Sequence, residues 1–152
     1  MDSLKIIEIE KAESKMEISR IVLEDLPEWF GIPESRDEYI NESSTQVFYV
    51  AMDADRPVGF LALKQIGKDT VELAVIGVVK EYHRKGIGKE LFIIAKERAR
   101  QDGFSFIQVK TVKMGVNVDY DKTNSFYQSL GFKEFEVFPS LWMSGTHAKY
   151  ML

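Results

Sequence analysis

A short apolar run that leads directly into a basic, glycine-containing turn constrains this chain more than any other feature. Residues Leu73–Val79 are nearly all apolar and mostly β-branched, and the run is too short for an ordinary buried helix. We therefore predict a buried strand. Gly77 lies within it, and a glycine inside a strand usually marks a bulge or the close approach of another backbone or a ligand.

Helical spacing begins soon after this strand. Charged side chains fall largely on one side of residues 86–101, and the other side is apolar, with Ile87, Leu91, Ile94, Ala95 and Ala99. The turn therefore leads into the N-terminus of a helix, where free amide groups and the helix dipole attract anions.

The turn itself has the composition of a phosphate-binding loop. Gly86 and Gly88 carry no Cβ, so a phosphate can approach the backbone amides closely. Arg84, Lys85 and Lys89 add positive charge. The pattern matches neither the dinucleotide motif nor the P-loop, and an isolated Gly-x-Gly is more often only a tight strand-to-helix turn.

Two linked motifs stand out, His83-Arg-Lys-Gly-Ile-Gly88 and Thr123-Asn-Ser-Phe-Tyr-Gln-Ser-Leu-Gly-Phe132. Together they resemble motifs of the GNAT family, the GCN5-related N-acetyltransferases. His83-Arg-Lys-Gly-Ile-Gly88 resembles the family's acyl-CoA motif, Gln/Arg-x-x-Gly-x-Gly/Ala, and it follows a strand. The later stretch 123–132 resembles the family's Phe-Tyr-x-x-x-Gly-Phe, which ends a helix and opens a strand. His83 replaces the usual Gln or Arg. Because backbone amides would hold the phosphates, we expect this exchange to alter one side-chain contact and to leave the site intact.

The pattern of elements predicts a fold of the α/β class, a mixed sheet with helices on its faces, in one domain over residues 1–152. The predicted strands are Leu4–Ile9, Val47–Met52, Val58–Ile66, Val71–Val79, Phe106–Val112, Phe132–Phe138 and Thr146–Leu152. The predicted helices are Glu13–Leu26, Glu34–Ser43, Gly86–Gln101 and Lys122–Leu130, with loops at Leu26–Pro33 and Met114–Asp121. The resemblance implies a GNAT-like, mostly antiparallel sheet of about seven strands and about four helices. It also implies that the fourth and fifth strands splay apart around the pantetheine arm.

Composition excludes several classes of function. A net charge of −4 and a pI near 5.3 argue against binding to nucleic acid or to an anionic membrane. The chain has no cysteine, so disulfides, thiolate metal sites and an acyl-cysteine intermediate are excluded. The two histidines lack metal-ligand spacing, and we expect no metal. The early charges and the short apolar runs predict a soluble, cytoplasmic protein.

Acyl transfer from a thioester to an amine needs a base, an oxyanion donor and a proton for the leaving thiolate. The resemblance implies that Glu72, near the start of the fourth strand, is the base, directly or through water. It implies that Tyr127 is the acid. The plainer alternatives are a solvated strand-end charge for Glu72 and a core aromatic for Tyr127. A backbone N–H near Val78 or Val79, left unpaired by a bulge, would meet the oxyanion.

The resemblance further implies acetyl-CoA as donor. Its expected contacts are Val78, Val79, His83, Arg84, Lys85, Gly86, Ile87, Gly88, Lys89, Asn124 and Tyr127. Asn124 would bond the pantetheine, although an exposed helix asparagine is the plainer alternative.

The acceptor is expected to be a small-molecule amine that attacks the thioester directly in a ternary complex. Trp29, Phe30 and Glu34 are the expected acceptor contacts, because the Trp-Phe pair lies in a proline-bounded loop and residues 24–42 carry seven acidic groups against one basic group. This excess of negative charge favours a cationic amine as acceptor. The plainer alternative is that the acidic residues only form the solvated faces of two surface helices. Several alternatives stay open: a different acyl donor, a protein amine as acceptor, an acyl-CoA sensor without turnover, and a strand-edge or aromatic-patch interaction protein without CoA affinity. A homodimer stays open as well.

Overall fold

The computed structural model describes residues 4–112, 114–115, 117–138 and 147–151. The strands are β1 (Leu4–Ile9), β2 (Val47–Asp53), β3 (Arg56–Gln65), β4 (Thr70–Val78), β5 (Phe106–Val112), β6 (Lys133–Phe138) and β7 (His147–Met151). The helices are α1 (Ala12–Glu24), α2 (Pro27–Phe30), α3 (Pro33–Ser43), α4 (Ile87–Gln101) and α5 (Val118–Ser129). Thr146 and Leu152, the predicted ends of the last strand, lie outside the described residues.

The strands form one mixed sheet in the order β1-β2-β3-β4-β5-β7-β6. Neighbouring strands are antiparallel throughout, apart from β4 and β5, which run parallel. The prediction of a mixed, mostly antiparallel α/β fold is therefore confirmed.

The contact between β4 and β5 is short. Only Thr70–Glu72 pair with Phe106–Gln108, although β4 continues to Val78 and β5 to Val112. The two strands therefore separate beyond Glu72, which confirms the predicted splay. Beyond that point β5 pairs on its other side with β7, so the sheet stays continuous around the gap.

The strand β4 contains a bulge, but not at Gly77. The register with β3 shifts where Ala62 pairs with Val75 and Leu63 pairs with Leu73, so the extra residue is Ala74. Gly77 instead lies under helix α1: a Cβ there would come within 3.1 Å of Val22 Cγ1. The glycine is thus explained by close helix packing, and its reading as a bulge is wrong.

Two segments predicted as loops contain helix. Pro27 ends α1, as expected, but it also starts α2, because proline fits the first position of a helix. In the second segment α5 begins at Val118 rather than Lys122, since the Asn117 side chain caps it by accepting from the N–H groups of Asp119 and Tyr120. The described residues therefore contain five α-helices, one more than predicted.

The helix α4 has the predicted amphipathic pattern with one exception. Ile87, Leu91, Ala95 and Ala99 are buried against the sheet, whereas Ile94 is 37% exposed. The start of this helix, the open half of β4 and helix α5 surround the same space, and the candidate site lies there.

Candidate active site

A cavity of about 630 Å³ lies beside the open half of β4. Its walls come from α2, from the end of β4, from the turn before α4 and from α5. The lining residues are Leu26, Trp29, Phe30, Ile76, Gly77, Val78, Tyr82, His83, Arg84, Gly86, Ile87, Gly88, Lys89, Tyr120, Lys122, Thr123, Phe126, Tyr127 and Ser129.

Most of the residues selected from the sequence meet at this cavity. The lining includes Trp29, Phe30, Val78, His83, Arg84, Gly86, Ile87, Gly88, Lys89 and Tyr127. Five selected residues do not line it: Glu34, Glu72, Val79, Lys85 and Asn124.

The two glycines of the turn are needed for different structural reasons. Gly86 has a φ of +79°, caps the N-terminus of α4, and has nothing within 4 Å of where a Cβ would be. That position favours glycine and leaves the helix N-terminus open to a ligand. A Cβ on Gly88, by contrast, would come within 3.0 Å of Phe126 Cζ, so Gly88 allows α4 and α5 to approach each other.

Arg84 also has a left-handed backbone, with a φ of +62°. This conformation is uncommon for a residue other than glycine, and it persists only where the surrounding structure imposes it. The turn is therefore held in shape by its neighbours.

His83 connects the turn to β4 and to α2. Its Nε2 donates to the carbonyl oxygen of Val78 over 2.6 Å, and its ring lies edge-on to Trp29 at a centroid distance of 6.1 Å. The side chain that replaces the family's Gln or Arg thus makes contacts within the protein.

The hydrogen-bond pattern of β4 decides which amides face the gap. The N–H of Val79 donates to the carbonyl oxygen of Val58, at 2.9 Å. Because alternate residues of an antiparallel pair turn toward the same neighbour, Gly77 and Val79 face β3, while Ile76 and Val78 face the side of β5. The Val79 amide is therefore engaged, and its prediction as oxyanion donor is wrong. The amides of Val78 and Ile76 remain as candidates for the oxyanion donor.

Helix α2 is fastened to α5 by two hydrogen bonds. The indole Nε1 of Trp29 donates to the carbonyl oxygen of Asp119 over 3.2 Å, and the hydroxyl of Tyr120 donates to the carbonyl oxygen of Trp29 over 3.0 Å. Both helices border the cavity, so this pair of bonds fixes the distance between two of its walls.

Tyr127 lies in the cavity wall and is only 6% exposed. Its ring packs against those of Phe126 and Phe132 at centroid distances of 5.9 and 5.8 Å. Burial raises the pKa of its hydroxyl well above the ordinary value of 10. The phenol therefore stays protonated at neutral pH and is a weaker acid than a solvated tyrosine.

Asn124 is fully buried and joins α5 to β5. Its Oδ1 accepts from the hydroxyl of Thr111 over 2.7 Å, and its Nδ2 donates to the carbonyl oxygen of Val112 over 2.6 Å. Both ends of the amide are used inside the protein. The geometry contradicts the predicted pantetheine contact as well as the alternative of an exposed asparagine.

Glu72 is also buried, at the last residue pair that joins β4 to β5. Its Oε1 accepts from Gln108 Nε2 over 2.8 Å and lies 3.3 Å from Lys110 Nζ. The reading of Glu72 as a solvated charge is therefore wrong. Tyr39 of α3 is an electrostatic neighbour: burial raises the pKa of Tyr39 to about 12, and the charges of Tyr120, Glu72, Glu42 and Glu38 add to the rise.

Several of the acidic residues between 24 and 42 already have partners within the protein. The side chains of Glu24 and Asp37 bond to Arg20, and those of Asp25 and Glu28 bond to Lys80. Glu34 is exposed in the first turn of α3, where the helix dipole favours a carboxylate. Glu38 and Glu42, the neighbours of Tyr39, remain as candidates for attracting a cation.

Sequence reasoning missed Tyr120, Lys122 and Thr123, which line the cavity from the first turns of α5. The signal was Asn117, a preferred helix-capping residue, followed by acidic residues suited to a helix N-terminus. Among the described residues there is no group of three or more His, Cys, Asp or Glu that could hold a metal, and no helix long and apolar enough to cross a membrane.

Comparisons with known proteins agree with this geometry. The model of the acetyltransferase (GNAT) family matches residues 15–132. N-alpha-acetyltransferase 30 of Schizosaccharomyces pombe is 28% identical over 141 residues, which cover 90% of this chain and 89% of that protein.

Solved structures have the same fold. A GNAT-family acetyltransferase from Desulfovibrio desulfuricans superposes with a TM-score of 0.83 at 18% identity, covering 98% of each chain. A Bacillus subtilis acetyltransferase in complex with CoA gives a TM-score of 0.71 at 22% identity, covering 98% of this chain and 97% of that one. With the family model matching most of the sequence, the chain belongs to the GNAT family and is an acetyl-CoA-dependent N-acetyltransferase.

Proposed function

We propose that this acetyltransferase transfers the acetyl group to the primary amine of a small cationic molecule, by direct attack in a ternary complex. One observation carries the donor half of the proposal. The cavity joins a glycine turn at a helix N-terminus to a strand whose outward amides are not paired with β5.

The turn suits the phosphates of acetyl-CoA. Gly86 leaves the first amides of α4 accessible, and Arg84 and Lys89 line the same space. Lys122 of α5 adds a further cation to the lining. The pantetheine arm would then lie along residues 76–78 and hydrogen-bond to the open edge of β4.

The acetyl carbonyl would meet a backbone N–H of β4. Ile76 and Val78 both face the gap, but at about 3.3 Å per residue Val78 lies roughly 20 Å along the strand from Glu72, and Ile76 roughly 13 Å. The shorter separation is the easier one for a chain of waters to bridge when it carries a proton to the carboxylate. We therefore place the oxyanion at the amide of Ile76.

The proton transfers follow from this placement. The amine nitrogen attacks the thioester carbonyl carbon, and the Glu72 carboxylate takes a proton from the nitrogen through water. When the tetrahedral intermediate collapses, the carbon–sulfur bond breaks, and the Tyr127 hydroxyl gives its proton to the leaving sulfur. The products are the amide and CoA with a free thiol, and the proton taken up by Glu72 returns to Tyr127 through solvent.

The acceptor would enter past Tyr39. Glu38, Glu42 and Glu72 are all close enough to Tyr39 to raise its pKa. An acidic approach raises the local concentration of cations, which favours a polyamine or an amino sugar over an acidic metabolite. The resemblance to N-alpha-acetyltransferase 30 favours a second candidate, the N-terminal amine of a polypeptide.

Gly86→Ala should abolish most of the rise in melting temperature that CoA produces in the parent protein. A ligand that binds only the folded state stabilises it by mass action, and the added Cβ would point into the phosphate site. Thermal unfolding with and without millimolar CoA measures the effect.

The matched control is Gly103→Ala. Gly103 has a φ of +87° and equally open space, so both substitutions should cost about 1 kcal/mol of stability from backbone strain. Only Gly86→Ala should lose the rise in melting temperature that CoA produces. An equal rise in melting temperature with CoA in both variants would show that the CoA phosphates do not bind at this turn.

Tyr127→Phe should lower turnover by about 10- to 1000-fold with little change in CoA affinity, as expected for loss of a general acid. Because burial raises the phenol pKa, the parent should show no loss of rate from phenol ionisation below pH 10. Glu72→Gln should reduce the rate most at low pH, where the amine is hardest to deprotonate.

Tyr49→Phe is the control, because Tyr49 is a buried tyrosine that contacts Arg98 outside the cavity. The turnover rates of the parent and the three variants are measured as free thiol release across a pH series. If Tyr127→Phe and Glu72→Gln turn over like Tyr49→Phe, neither residue transfers a proton.

A diamine or polyamine should be acetylated faster than an anionic amino acid at low salt, and the preference should shrink as salt rises. Replacing Glu38 and Glu42 together by Gln should lower kcat/KM for the cation by about 3-fold or more, while Glu10→Gln, at an exposed position between β1 and α1, should not. Equal rates for cation and anion, or a faster reaction with a short peptide bearing a free N-terminus, would overturn the small-cation assignment.

A further inference from the structure

The turn that would hold the phosphates is connected to the tip of the β2–β3 hairpin. Asp53 and Arg56 are the residues that close this hairpin, and both contact the segment just before the turn. The Tyr82 hydroxyl donates to Asp53 Oδ2, and Arg56 forms an ion pair with Glu81.

The ring of Tyr82 is in contact with two cations. The guanidinium carbon of Arg56 lies 5.5 Å from the ring centroid, and Lys85 Nζ lies 5.3 Å from it. Both distances are in the range of cation–π attraction. Tyr82 therefore links the hairpin on one side to Lys85 of the turn on the other, and its half-buried side chain also lines the cavity.

The hydrogen bond to Asp53 also fixes the role of the phenol. It is the main cause of a raised pKa for Tyr82, so the hydroxyl stays protonated and remains a donor to the carboxylate.

The segment is held from the other side as well. The N–H of Lys80 donates to Asp25 Oδ2 over 2.8 Å, and Lys80 Nζ donates to Glu28 Oε2 over 2.6 Å. Residues 80–82 are thus fixed between the hairpin on one side and the end of α1 and helix α2 on the other. Two residues later Arg84 adopts its left-handed backbone, which needs such external support.

We propose that Tyr82 is a positioning residue for the CoA phosphates: through Asp53, Arg56 and Lys85 it holds the turn at residues 83–88 in its binding shape. This inference rests on the proposed place of the phosphates at that turn. It assigns a role to Tyr82 and to the hairpin, neither of which belongs to the glycine motif.

The test is calorimetric binding of two probes, CoA and pantetheine, of which only CoA carries phosphates. Tyr82→Leu should weaken CoA binding by about 10-fold, because it loses both the charge-assisted hydrogen bond to Asp53 and the ring between the two cations, and it should leave pantetheine binding within about 2-fold. Tyr82→Phe keeps the ring between the cations and loses only the bond to Asp53, so its effect on CoA should be smaller and in the same direction.

Tyr49→Phe is the control, since it removes a tyrosine hydroxyl that contacts Arg98 elsewhere in the sheet. Parent-like CoA binding in both Tyr82 variants would overturn the inference while leaving the phosphate site in place. Equal weakening of CoA and pantetheine would also overturn it, because general damage to the fold explains that result. If the parent itself does not prefer CoA to pantetheine, the proposed phosphate site fails, and the role of Tyr82 fails with it.

Discussion

The site depends on how briefly β4 and β5 pair. Three residue pairs, from Thr70 to Glu72, join the two parallel strands before they separate. Backbone N–H and C=O groups beyond that point need other partners, because an unsatisfied buried peptide group is costly. A ligand with its own amides, such as pantetheine, can supply them. The same interruption of the sheet creates the cavity and leaves backbone groups facing it.

The surrounding contacts keep this gap open at a fixed width. Helix α2 is bonded to α5 through Trp29 and Tyr120, and Asn124 ties α5 to β5. On the other side, Gly88 allows α4 to pack against Phe126 of α5. The walls are therefore set by hydrogen bonds and close packing, so substitutions in α2 or α5 are expected to change the site without touching the reacting atoms.

Much of the fold was predictable because it follows from local patterns. The apolar run of β4, the spacing of α4 and the glycine turn predict a cofactor side of the site, and residues of that turn do line the cavity. Contacts between distant residues were not predictable. The sequence predicts Gly88 as a phosphate contact but does not indicate its close approach to Phe126, nor the bonds of Asn124 to Thr111 and Val112. The partners of the acidic residues in α1 to α3 likewise depend on tertiary structure.

The central claim is that acetyl-CoA lies along the open half of β4, with the oxyanion near Ile76. Titrating isotope-labelled protein with CoA and following the backbone amide signals by NMR tests it most directly. The account predicts the largest shifts at Ile76, Val78 and residues 86–88, with little change at Val79, whose N–H is bonded to Val58. Large shifts confined to β1, β2 or the exposed face of α4, with none along β4, would contradict it.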